Sequence, residues 1–79
     1  MINWYFFIKE NEVTQEMITY STSLDTSLTK SMFFPSKGAT FVFLKVEDRY
    51  FDLCTCFDKY RAYTHNEALK IIQEEEKLS

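Results

Sequence analysis

Cys54 and Cys56 stand one residue apart in "DLCTCFDKYRAYT", with Asp52 and Asp58 on either side and the chain's single histidine at His65. Those are the residue types that bind zinc, exchange thiols or activate a nucleophile. A zinc site takes four ligands, usually as two spaced pairs. Here one C-x-C and one histidine leave the set incomplete unless a carboxylate joins. A redox pair is ordinarily C-x-x-C at a helix N-terminus, which stabilises the thiolate. A disulfide closing so small a ring would be strained. Asp52 and Asp58 form a carboxylate pair, but so small a domain rarely encloses a cleft for acid–base work. Gly38 stands alone, so "PSKG" is a turn with one lysine and not a phosphate loop. The expectation is two structural cysteines, no metal, no cofactor and no enzyme activity.

The elements that must position these residues follow from periodicity. In residues 2–9, Ile2, Trp4, Phe6 and Ile8 alternate with Asn3, Tyr5, Phe7 and Lys9, a strand apolar on much of both faces. "ENE" at 10–12 is a turn, and "EMITYS" at 16–21 reads as a second strand. Leu24, Leu28 and Met32 recur at four-residue intervals behind Ser23 or Asp25, which predicts a short helix near residues 24–33 that Pro35 ends. Residues 39–46, "ATFVFLKV", make a strand with Phe41 and Phe43 on one face and Val42, Leu44 and Val46 on the other. "EDR" at 47–49 then reads as a hairpin connection into a partner strand, "YFDLCTCF" at 50–57. In that strand both cysteines share the face of Asp52 and Asp58. "KYRAYT" at 59–64 continues the strand or forms another. Thr64 and Glu67 have the spacing of a capping box, and the apolar Ala68, Leu69, Ile71 and Ile72 oppose a solvated "EEEK". The result is one small α+β domain over residues 1–79, a mainly antiparallel sheet with a C-terminal helix packed on it.

Composition narrows the function classes. Eight Phe, five Tyr and one Trp among 79 residues are a large aromatic load. Aromatics bury the most surface per residue and so compensate for a small core. They are also the residues of binding surfaces. The net charge is −3, and the seven Lys and two Arg are scattered singly. A phosphate-binding domain shows a basic stripe, so nucleic acid is disfavoured as a partner. No signal peptide and no apolar run of membrane-spanning length is visible, so the reading is a cytoplasmic protein with reduced thiols. Phe, Tyr, Met, Ile, Asn and Lys far outnumber Gly, Ala, Arg and Pro, which points to AT-rich coding, as in low-GC bacteria and their phages.

"DLCTCF" followed by "THNEA" is similar to the strand-to-helix segment of HicB-type antitoxins, which commonly read D-L-P-G-C-F and then T-x-x-E-A. Asp52, Leu53, Cys56 and Phe57 match the first part; Thr64, Glu67 and Ala68 match the second. Cys54 and Thr55 stand in place of the Pro-Gly turn, and two extra residues separate the parts. The resemblance spans about a quarter of the chain and implies a protein that silences a toxin nuclease.

These observations favour a small non-catalytic protein-binding domain, an inhibitor or regulator from a phage or mobile element. Its partner would be a protein such as a defence nuclease or nuclease complex. Trp4, Tyr5, Tyr60 and Tyr63 are the expected aromatic anchors, and Asp52 and Asp58 the acidic residues that steer it toward a basic cleft. The alternatives are a HicB-like antitoxin and a single-strand nucleic-acid module stacking bases on Tyr5, Phe7, Phe41 and Phe43. A strand apolar on both faces adds the expectation of a homodimer.

Overall fold

The computed structural model describes residues 2–22 and 29–78. A three-stranded antiparallel sheet runs β1 (Asn3–Lys9), β3 (Ala39–Glu47), β2 (Thr29–Phe34). Helix α1 (Gln15–Tyr20) follows β1 after a single 3-10 turn at Glu10–Glu12. Beyond β3 come the short helix α2 (Asp48–Phe51), a 3-10 turn at Thr55–Phe57 and the C-terminal helix α3 (His65–Leu78). This is the α+β class that the residue pattern predicts, with the final helix on the sheet.

The register follows from the alternation of β1 and β3. Phe6 faces Leu44, Trp4 faces Val46 and Ile8 faces Val42, so six apolar side chains line one surface. Phe6, Ile8, Leu44 and Val46 are fully buried there, with Met17, Cys54 and Phe57 closing over them. The Phe57 ring stacks on Phe6 at 4.3 Å. The second face carries an unbroken aromatic chain: Tyr5 on Phe43, Phe43 on Phe7, Phe7 against Phe34, and Phe34 on Phe41 at 4.6 Å. Helix α3 covers part of that face, burying Ala68.

The expected C-terminal helix and its cap are present. The Thr64 hydroxyl accepts from the Glu67 amide at 3.3 Å, and the Glu67 carboxylate accepts from the Thr64 amide at 3.0 Å. "PSKG" is the loop of the β2–β3 hairpin. The Gly38 amide donates to the Phe34 carbonyl at 2.9 Å, and Gly38 takes φ 63°, where a side chain would be strained.

Several expected elements differ, among them the hairpin connection expected at 47–49, where β3 ends and α2 begins. Residues 16–20 are helical, not a strand, and Ser21 caps their end: Thr14 caps the start of α1 by accepting from the Met17 amide at 3.2 Å, and the Ser21 hydroxyl donates to the Ile18 carbonyl. The short helix near residues 24–33 is not found in the described part, where β2 begins at Thr29 and sets Met32 opposite Phe41; Leu24 and Leu28 lie outside the described residues. Pro35 therefore punctuates a hairpin, not a helix end.

Residues 50–57 are not a partner strand. Both edges of β3 are already taken, by β1 and by β2, so the chain crosses the sheet face instead. It descends through successive i→i+3 turns, with amides of Leu53, Cys54, Phe57, Asp58 and Tyr60 donating to carbonyls three residues back. That pitch aims Phe51, Cys54 and Phe57 at the core. Of residues 59–64, only Tyr63 pairs, exchanging two backbone hydrogen bonds of 2.9 Å with Tyr5.

Candidate functional site

The cysteines do not lie side by side on a strand. Cys54 is buried, and its thiol donates to the Phe51 carbonyl at 3.1 Å. Cys56, half-buried, faces the side of α1 that carries Glu16. Burial pushes both thiols above their ordinary range; Cys56 and nearby aspartates raise Cys54 further, and Glu16 and Asp58 raise Cys56 further. A raised thiol pKa lowers the thiolate fraction at neutral pH. His65 opens α3 with Nδ1 3.0 Å from the Tyr5 hydroxyl. Among the described residues, no group of three or more His, Cys, Asp or Glu is placed to hold a metal ion.

The six expected anchor and steering residues do not form one surface. Trp4 lies on the face of Phe6, its indole N–H donating to Asp48 at 3.1 Å. Tyr5 projects to the opposite face, only 5 % exposed, with burial raising its phenol pKa. Asp52 and Asp58 are exposed in the turn segment on the Trp4 side. Tyr60 and Tyr63 do share one site, both lining a cleft between the aromatic face and α3.

That cleft has a volume of about 350 Å³, the lower end of what ligand pockets offer. Phe7, Phe34 and Phe41 of the sheet form one wall; Tyr60 and Tyr63 form the second; Ile71, Glu74 and Glu75 of α3 form the third, with Ser36 and Lys37 at the hairpin end. Alternation of β1 and β3 delivers the sheet rings to this side. The backbone pairing of Tyr63 with Tyr5 fixes the second wall, and the Tyr63 ring meets Phe7 edge-on at 5.7 Å. The Tyr60 hydroxyl donates to Glu12 at 3.3 Å, and burial and that carboxylate push its pKa up. Arg61 lays its guanidinium 4.7 Å from the Tyr63 ring centre and pairs with Glu67 at 3.3 Å.

Glu75 is the site residue that sequence reading missed. "EEEK" looks like a solvated face, yet Glu75 is only 7 % exposed. It accepts from the Ser36 amide at 3.2 Å and from the Ser36 hydroxyl. The available signal was spacing: Ala68, Ile71, Ile72 and Glu75 recur at three and four residues and fall on one helix face. Phe34 was missed for a different reason, since the helix expected near 24–33 hid a strand.

Of the residues expected to stack bases, Tyr5, Phe7 and Phe43 stack on one another, and Phe41 stacks on Phe34. The segment Asp52–Phe57 that resembles the HicB-type motif forms turns and not a strand. No family model, no curated protein and no solved structure matches the chain. Among the described residues, no helix is long and apolar enough to cross a membrane.

Proposed function

We propose that this chain is a small non-catalytic protein-binding domain that works in the cytoplasm, and that it docks its partner through the aromatic cleft between α3 and the sheet. The observation that carries the reading is the cleft itself. Five aromatic rings, with polar and charged residues among them, border a volume of about 350 Å³, a concave setting in which a partner's anchor side chain is desolvated and contributes much of its binding energy. Phe34, in the cleft wall, is buried, and Phe7 and Phe41 each pack against its ring, so this wall is packed before contact, which reduces the ordering cost of association.

The partner class follows from charge and origin. A net charge of −3 favours encounter with a basic protein surface. The AT-rich residue choice and small size fit a phage or mobile-element inhibitor. A host defence nuclease, whose nucleic-acid groove is basic, satisfies both.

The test is affinity capture of tagged protein from host lysate, with the Ile71→Glu variant in parallel after circular dichroism shows it folded. A stoichiometric protein partner on the native chain, absent from the variant, supports the reading. A partner held equally by both removes the cleft from the interface. Recovery of nucleic acid or of the chain alone contradicts the reading.

A further inference from the structure

An apolar anchor would not require a carboxylate in the wall of its pocket, and this cleft has one. Glu75 is 7 % exposed, and its two donors, the amide and the hydroxyl of Ser36, are both neutral. The ion pairs among the described residues join Arg49 to Glu47 and Arg61 to Glu67, so neither reaches Glu75. A carboxylate offers about four lone-pair positions, and Ser36 takes two. A buried charge without a counter-ion is unfavourable, and a cation that enters and bonds to it relieves that cost.

The rest of the cleft suits a cation as well. Aromatic faces attract one by their quadrupole; the chain's own Arg61 already lies over Tyr63, and Phe7, Phe34, Phe41 and Tyr60 supply further rings along the lining. Arg61 is already paired with Glu67, so Glu74 and Glu75 stand against Lys37 alone in the lining, and the cleft keeps an excess of negative charge. Guanidinium fits better than ammonium. It is planar and weakly hydrated, stacks on rings, and presents a fork of donors to a carboxylate. We propose that the cleft accepts an arginine side chain of a partner protein, stacked on the aromatic wall and hydrogen-bonded to Glu75. This rests on the cleft being the docking site and names the group that enters it.

The probes are three blocked peptides, Gly-Xaa-Gly, with Xaa arginine, lysine or citrulline, the last a neutral mimic of arginine. Each is titrated into the ¹⁵N-labelled protein to millimolar concentration, following the Ser36, Tyr63 and Glu75 amides. The expected result is binding of the arginine peptide at these residues, with citrulline weaker by about tenfold and lysine intermediate. Glu75→Gln, which still offers Ser36 an acceptor, reduces arginine binding to the citrulline level. Ser36→Ala removes the hydroxyl bond between turn and helix but keeps the backbone amide bond and the charge of Glu75, and so retains arginine binding. Equal affinity for arginine and citrulline overturns the cation assignment while leaving cleft docking intact. Lysine binding at least as tight as arginine overturns the choice of guanidinium, and no shift at these amides with any peptide overturns the inference. Partner capture by the Ile71→Glu variant decides the docking reading separately.

Discussion

Ser36, in the hairpin turn between β2 and β3, gives both its amide and its hydroxyl to the carboxylate of Glu75, thirty-nine residues later in the chain. That link fastens the far end of α3 to the sheet and sets the depth of the aromatic cleft. Without it, α3 is held at its start, through the Tyr5–His65 contact, and along its length by Ala68 and the isoleucines.

Glu75→Ala therefore costs more than an ordinary surface change. It removes two hydrogen bonds to a charged acceptor and leaves the Ser36 amide unpaired. The expected loss is about 2–3 kcal/mol in chemical denaturation, with Glu75→Gln losing roughly half as much. A loss within the range of surface substitutions, about 0.5 kcal/mol, would show that the link carries no stability.

The capping box at Thr64 and Glu67 predicts a pH dependence with a definite sign. The Thr64 amide holds the Glu67 carboxylate below its ordinary range, with further lowering from the Thr64 hydroxyl side and Arg61. A group whose pKa falls on folding contributes stability above its unfolded pKa and loses it as pH drops through the folded value. Helicity monitored on acid titration should thus fall below the normal glutamate range, and Glu67→Gln should flatten that part of the curve. Thr64→Ala should cost about 1 kcal/mol at neutral pH. An unchanged acid profile in Glu67→Gln would contradict the capping account.

The thiols should react slowly. Burial raises both above their ordinary range, so labelling by a thiol reagent at neutral pH should lag behind that of an unfolded control, and Cys54 should lag behind Cys56. The unfolded chain gives up these protons first, so stability should also decline as pH rises past the ordinary thiol range. Changing both Cys54 and Cys56 to Ser should leave partner binding largely intact. Loss of binding in a folded double variant would assign the thiols a role in the interface.

Much of the scaffold was legible where one face is buried and the period is unambiguous. Residues 2–9 and 39–46 alternate cleanly, and Thr64 to Glu67 carries its own cap. The errors fell where one short segment satisfies two periods. Residues 50–57 alternate as a strand, but Phe51, Cys54 and Phe57 also recur every third residue, and the occupied edges of β3 decide for turns. Which edges are free is a property of the assembled sheet, and no local pattern reveals it. The site was half legible for the same reason. Tyr60 and Tyr63 are legible as aromatic anchors, but their neighbours Phe34 and Glu75 come from a strand whose segment also fits a helical spacing and from a charge run that has the pattern of a solvated face.

Docking through the cleft is tested most directly by amide hydrogen exchange of the protein alone and bound to its captured partner. The account predicts new protection in residues 34–41 and 60–75, which form the cleft, with little change in residues 48–58 on the opposite face. Protection centred on residues 48–58, with the cleft segments unchanged, would contradict it.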